Sequence, residues 1–276
     1  MVSASRTGRT RGKPGIAYEV QGDGPVVVFL HGIGGHRGNW ADQLGRFSRH
    51  YRAVAWDARG YGDSDDYDGP CRFEDFSDDL AGLLDHLDVE RAHLVGLSMG
   101  GRILMDFAVR HAGRVRSLAI AGSFPSFGSA LTPEQQQEYM RLRREPLQRG
   151  LSFAQLAPQL VASLVGPQAS ARVRERMADS IARLRPDSYL KTLEATLHFD
   201  RTATLGAIEA PTLLLYGQFD SLVTPEAGRQ VQQAMRHAEY RVVEGVGHLI
   251  NLEAPDVFNA LVLDFLARQG DDRQGA

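Results

Sequence analysis

The stretch Ala92-His93-Leu94-Val95-Gly96-Leu97-Ser98-Met99-Gly100-Gly101 sets one serine between an apolar strand and the start of a helix. Ala92 to Val95 is a short apolar run, and Ser98 to His111 reads as a helix. Gly96-Leu97-Ser98-Met99-Gly100 fits the pattern G-x-S-x-G. At this glycine content a serine meets that pattern by chance about one time in a hundred, so the strand before it and the helix after it carry the weight. A serine on a sharp strand-to-helix turn presents its hydroxyl above the sheet. Glycines two residues to either side let the neighbouring strand and helix approach. The free N–H groups of the helix start favour negative charge developing there.

Outward from this point, strands and helices alternate. Residues 16–20 alternate like an edge strand. Val26 to Leu30 is a continuous apolar run, as in a strand buried on both faces. Residues 40–49 look helical, and Tyr51 to Trp56 is a further strand. Phe76, Leu80, Leu83, Leu84 and Leu87 space a helix over 74–88, and Val115 to Ala121 is a strand closed by Gly122. Thr212 to Tyr216 and Glu239 to Val243 read as strands, with helices over 225–236 and 255–268. This pattern predicts an α/β fold with a mostly parallel central sheet and helices on both faces. Residues 124–206 break the alternation. They are rich in Gln, Arg, Glu, Leu and Ala, with breaks near Pro133, Pro146, Pro167 and Pro186. The expected organisation is a core from 16–123 and 207–270, a helical lid insertion over 124–206, and a disordered tail at 1–15. That tail is basic and lacks the apolar stretch of a secretory signal.

Composition narrows the function classes. Of 276 residues 43% are apolar, enough for a substantial core, yet no run reaches the roughly 18 apolar residues of a membrane span. A net charge of −3 leaves no electrostatic footprint for nucleic acid. The expectation is a cytoplasmic protein, monomer or homodimer, acting on a small molecule, with neither nucleic acid nor membrane as partner. The single cysteine, Cys71, lies in a polar loop-like stretch and reads as a bland thiol. No His/Cys/Asp cluster has metal-ligand spacing. Gly32-Ile33-Gly34 lacks the third glycine of a dinucleotide fingerprint. No metal and no cofactor are expected.

A serine hydroxyl is a poor nucleophile unless a base takes its proton. Nine histidines compete. His248 follows a strand in Glu244-Gly245-Val246-Gly247-His248, at the edge where open α/β sheets place catalytic groups. His31, His93 and His111 fit structural roles. His50, His86 and His237 look surface-bound, while His36 and His198 are candidates to line a pocket. The base needs an orienting carboxylate. Asp220 lies just after a strand in Tyr216-Gly217-Gln218-Phe219-Asp220, and the rival position, Ala121-Gly122-Ser123, holds no acid. The chain order is then Ser98, Asp220, His248. Two backbone donors are needed for an oxyanion. Met99 N–H supplies one, and the loop His31-Gly32-Ile33-Gly34-Gly35 supplies Ile33 N–H or Gly34 N–H.

These pieces, with Asp57-Ala58-Arg59-Gly60-Tyr61-Gly62-Asp63-Ser64, resemble the α/β-hydrolase superfamily, in the branch of lidded bacterial hydrolases. The resemblance spans about residues 16–268, the lid unmatched. Within that branch the chain looks most like 3-oxoadipate enol-lactone hydrolases and related carboxylesterases. The resemblance implies a serine hydrolase that cleaves a small ester or (enol-)lactone through an acyl-enzyme on Ser98. Asp57 and Arg59 would brace the oxyanion loop. The Leu97-Ser98-Met99-Gly100-Gly101 segment also resembles carbon–carbon bond hydrolases of aromatic ring cleavage, although Ile33-Gly34-Gly35 lacks the proline usual in their oxyanion loop. A third reading is a ligand-binding receptor on a hydrolase scaffold. For the substrate, Arg102 beside the elbow, or a lid arginine such as Arg141, Arg143, Arg144 or Arg149, could hold a carboxylate in bidentate fashion. His36 and the aromatic residues Phe124 and Phe219 complete the substrate-side candidates, with Phe127, Phe153, Tyr189, Leu193 and Leu197 as further apolar wall candidates.

Overall fold

In the computed structural model, which describes residues 4–270, eight strands form one sheet. They are β1 (Arg6–Arg9), β2 (Ala17–Gln21), β3 (Val26–Leu30), β4 (Arg52–Trp56), β5 (Ala92–Leu97), β6 (Val115–Ala121), β7 (Thr212–Gly217) and β8 (Ala238–Val243). Their order is β1-β2-β4-β3-β5-β6-β7-β8. The first two pairings are antiparallel and all those from β4 to β8 are parallel. The helices are α1 (Ala41–Phe47), α2 (Glu74–His86), α3 (Met99–Arg110), α4 (Pro133–Gln148), α5 (Phe153–Ala162), α6 (Ala171–Ala182), α7 (Pro186–His198), α8 (Pro225–Ala234), α9 (Ile250–Glu253) and α10 (Pro255–Arg268). Among the described residues no helix is long and apolar enough to cross a membrane.

β3, β5 and β7 are buried at every position because helices cover both faces of the sheet. Successive side chains point to opposite faces. Val28, Leu30, Val54, Trp56, Leu94 and Ile120 pack with residues of α2, α3 and α8. Val27, Phe29, Ala53, Ala55, Val95 and Ala121 pack with α1 and α10 on the other side. From β3 the chain steps outward to β4 and then returns to β5 on β3's opposite flank. The loops leaving β3 and β5 therefore diverge, which opens a crevice at the carboxyl ends of these strands. Leu30 pairs in register with Gly96, so the loop starting at His31 lies beside the turn at Ser98.

Helices α4 to α7 fill the connection from β6 to β7. A bridge between Ser126 and Asp200, and the bond from Arg201 N–H to Pro125 O (3.1 Å), close the neck of this insertion. Pro133 and Pro186 each open a helix, where a missing N–H costs nothing. The break expected near Pro146 falls just beyond it, where α4 ends at Gln148. Pro146 sits in the last turn of α4, where the carbonyl it leaves unpaired belongs to Leu142, a residue 53% exposed and so within reach of water.

The expected tail at 1–15 is corrected at Arg6–Arg9. These residues are β1, paired with β2 from Arg6↔Val20 to Arg9↔Ala17. Their side chains are mostly exposed, so no apolar alternation marks the strand; the backbone ladder holds it, with the Arg9 guanidinium bonded to Asp65 and to Asp63 O. Residues 1–3 lie outside the described residues.

One buried acid fixes α3. Asp106 is fully buried and accepts the Ser77 hydroxyl of α2 at 2.5 Å and Arg201 Nε–H at 2.7 Å, with Arg110 alongside. It ties the helix behind the elbow to α2 and to the base of the insertion. Asp106→Ala is expected to cost about 2–3 kcal/mol in urea unfolding. That is less than a fully buried pair would lose, because Arg201 and Arg110 keep a path to water.

Candidate active site

Ser98 links β5 to α3 with φ 55° and ψ −113°. A non-glycine residue held in such a region costs on the order of 1–3 kcal/mol and persists only where its surroundings enforce it. Ser98 N–H donates to Ala121 O (2.8 Å), and Ser98 O accepts from the Ser123 hydroxyl (2.7 Å) and from Arg102 N–H (3.2 Å). Tyr216 in turn donates its hydroxyl to Ser123 O at 2.6 Å. The glycines give the clearance the motif requires. A Cβ on Gly100 would stand 2.2 Å from Leu30 O, and one on Gly96 would stand 2.5 Å from the Gly100 carbonyl carbon. Ser123 and Tyr216 were not legible as part of this turn, because neither lies near it in sequence.

Asp220 and His248 meet at the same sheet edge. Asp220 Oδ2 is 2.7 Å from His248 Nδ1, and both side chains are buried. Asp220 Oδ1 accepts the N–H groups of Leu222 (2.9 Å) and Val223 (2.8 Å). A carboxylate only accepts, so Nδ1 must carry the proton, and Nε2 is left as the imidazole's free nitrogen. The His248 loop is fixed from the insertion side. His248 N–H donates to Leu164 O at 2.8 Å. The Glu253 carboxylate accepts N–H bonds from Gly166 (2.8 Å), Gly247 (3.1 Å) and Leu249 (3.1 Å).

Ser98 and His248 line one cavity of about 170 Å³, together with Ile33 and Gly34 of the loop after β3. The insertion supplies the opposite wall through residues such as Tyr139, Leu160, Met177 and Tyr189. Met99 N–H is the first of α3 and has no acceptor within the helix. The Ile33–Gly34 turn is held by Ser180 of α6, whose hydroxyl donates to Gly34 O at 2.8 Å. Asp57, fully buried, accepts Arg37 N–H (2.6 Å) and Asp63 N–H (2.9 Å), bracing the far end of that loop. Arg59 instead binds Asp79 at 2.6 Å and serves α2.

Of Arg102, His36, Phe124 and Phe219 only Arg102 lines the cavity, joined there by Arg143 of the offered lid arginines. The other three are corrected. His36 turns back to cap the helical turn Arg37–Trp40, its Nδ1 accepting Gly38 N–H at 3.1 Å. Phe124 stands behind Arg102, with the guanidinium 4.5 Å from its ring centre. Phe219 is 47% exposed, and Leu222 lines the cavity in its place. Phe127, Tyr189 and Leu193 are wall residues, while Phe153 and Leu197 are not. Burial lowers the Arg102 guanidinium to about 10. Burial likewise pushes the Cys71 thiol up to about 11, which leaves it protonated at neutral pH.

His31 is structural. Ala58 N–H donates to its Nε2 (3.0 Å), so Nδ1 carries the proton and donates to Gly32 O (2.9 Å). Burial pushes this imidazole down to about 4. A second proton on Nε2 would confront the Ala58 N–H. The unfolded chain takes up that proton near the ordinary value of 6.5, whereas the folded chain resists it to about 4. This contribution to stability is therefore complete above pH 6.5 and is lost as the pH falls toward 4. Urea unfolding across that window is expected to show wild type losing stability more steeply than His31→Gln, by up to about 1.4 kcal/mol per pH unit. Equal slopes for the two proteins would contradict this.

Comparison with known proteins follows the same outline. The family model of the alpha/beta hydrolase fold matches residues 25–255. A RutD protein of Pantoea ananatis, named as a carbamate hydrolase, is 31% identical over 94% of this chain and 95% of its own. A 2-hydroxy-6-oxononadienedioate/2-hydroxy-6-oxononatrienedioate hydrolase of Paraburkholderia xenovorans is 32% identical over 93% of this chain and 92% of its own. Among solved structures, an enol-lactonase from Burkholderia xenovorans superposes with a TM-score of 0.85 at 27% identity, covering 95% of this chain and all of that one.

Proposed function

The chain belongs to the α/β-hydrolase fold family, and from that premise we propose that it is a serine hydrolase cleaving a small carboxylic ester or (enol-)lactone through an acyl-enzyme on Ser98. The observation that carries this reading is the buried Asp220–His248 pair, bonded at 2.7 Å, opening with Ser98 onto a single cavity. His248 Nε2 takes the Ser98 proton as Oγ attacks the carbonyl carbon. The oxyanion that forms is met by Met99 N–H and by Ile33 N–H, with Gly34 N–H next to it. The carbon–oxygen bond of the ester breaks, and the leaving oxygen takes the proton from His248. Water, activated by the same nitrogen, then adds to the acyl carbon and frees Ser98. Asp220 holds the ring in the required tautomer and stabilises its charged form. The insertion acts as a lid that excludes water and shapes the acyl-binding wall.

The relatives named above are named for a carbamate, a dienedioate and an enol-lactone at similar identity, so the fold alone does not fix the bond cleaved. The likeness to the dienedioate hydrolase at 32% identity favours carbon–carbon cleavage as the second reading. Assaying short esters and lactones beside a vinylogous diketone acid separates the two.

Ser98→Ala is expected to lower kcat on a short ester by roughly 10⁶-fold with an unchanged melting temperature. Asp220→Asn is expected to lower it by roughly 10⁴-fold, through loss of the tautomer control. A fluorophosphonate probe should label wild type and not Ser98→Ala. Undiminished turnover in Ser98→Ala would remove the acyl-enzyme from the scheme. Tight ligand binding with no turnover of any substrate class would favour the receptor reading.

A further inference from the structure

Arg102 is the cavity's unexplained group. It is 6% exposed, it lines the same cavity as Ser98, and its N–H bonds to Ser98 O. It therefore stands one helical turn from the serine, roughly 5–6 Å along the helix surface. Several partly buried arginines are matched to acids: Arg37 to Asp57, Arg59 to Asp79, Arg201 to Asp106. Arg102 is more deeply buried than these, and among the described residues no carboxylate pairs with it. Of its guanidinium N–H groups, only Nε–H has an acceptor among the described residues, Phe124 O at 3.2 Å. The planar guanidinium rests 4.5 Å from the Phe124 ring centre and 5.9 Å from that of Phe127, which fixes its orientation. No aspartate or glutamate lines the cavity, whereas a second arginine, Arg143, does. Arg143 is itself laid over the Tyr139 ring and donates to Tyr139 O at 3.0 Å.

We propose that Arg102 is the anion-recognition residue of this cavity, and that the substrate carries a carboxylate gripped there while its scissile carbonyl lies at Ser98. A buried fork of N–H donors with no internal acid is the arrangement that an incoming carboxylate completes in bidentate fashion. The aromatic faces beneath it keep water away and prevent the side chain from turning to solvent. The acid-free wall means that a dianionic or monoanionic substrate meets no opposing charge. The short span from Ser98 to Arg102 selects compact molecules, in which a few bonds separate the carboxylate from the carbonyl. Where the carbonyl sits rests on the hydrolase reading above; the anion site itself does not.

Two measurements test this separately. In the first, glutarate is titrated into the intact protein and the melting temperature followed, with glutaramide as the neutral control. A saturable rise is expected with glutarate alone, absent in Arg102→Met and weakened about ten-fold in affinity in Arg102→Lys, which keeps the charge but loses the fork. In the second, mono-4-nitrophenyl glutarate is compared with 4-nitrophenyl valerate. Wild type is expected to favour the charged ester. Arg102→Met is expected to lower the charged-to-neutral ratio of kcat/KM by at least about ten-fold, chiefly through KM. No glutarate response in wild type, or an equal loss on both esters in Arg102→Met, would overturn the anion site. A glutarate response without any ester turnover would uphold the site and count against the hydrolase reading instead. Should Arg102→Met fail to fold, Arg102→Lys decides the matter by the same ratio.

Discussion

A strained peptide at residue 98 is the constraint around which this molecule is organised. An L-residue at φ 55° and ψ −113° would relax if it could. It is held because Ala121 at the end of β6 takes its N–H and Ser123, just beyond that strand, gives a hydroxyl to its carbonyl, and because β3 and α3 close on it where glycines leave no side chain in the way. The fold supplies those neighbours only at the strand where the winding of the sheet changes direction. Asp106 then pins α3 from behind. The strain is met by many ordinary contacts spread over distant parts of the chain.

The base is held with similar redundancy, from a different direction. Asp220 fixes the His248 ring, while the loop that carries it hangs from the insertion. Leu164 O and Glu253 tie residues 164–166 to residues 247–249. The loop opposite is tied to the insertion too, through Ser180 and Gly34 O. The helices over the cavity are thereby mechanically joined to both sides of the proposed chemistry. A displacement of residues 164–166 or of Ser180 therefore pulls on the His248 loop or on the Ile33–Gly34 turn, beyond its effect on the shape of the pocket.

That coupling bears on how one fold comes to cleave different bonds. In the proposed reading, the loops at the carboxyl ends of β5, β7 and β8 hold the reacting groups Ser98, Asp220 and His248. The wall that meets the remainder of the substrate is supplied by α4 to α7 and by side chains such as Arg102 that face them. A buried guanidinium without an internal acid is costly to maintain in a core. In the proposed reading, its place beside Ser98 makes electrostatic complementarity, more than cavity size, the feature that separates one small ester from another.

The sequence by itself determined the order of strands and helices, the elbow at Ser98 and the identities of Asp220 and His248. Each of these is written locally, in a period of two or 3.6 residues or in a few glycines around one side chain. It put β1 in a disordered tail, because the strand's exposed arginines carry no alternation, and it did not place Pro146 inside the last turn of α4, where its tolerance depends on Leu142 facing water. It misplaced His36, Phe124 and Phe219, because residue type says nothing of which way a loop side chain turns. Only the tertiary structure decided that Arg102, alone of those candidates, opens into the cavity, and that Ser123, Tyr216 and Glu253 hold the site from afar. Those placements come from helices and strands meeting across long stretches of chain, and no local pattern encodes such a meeting.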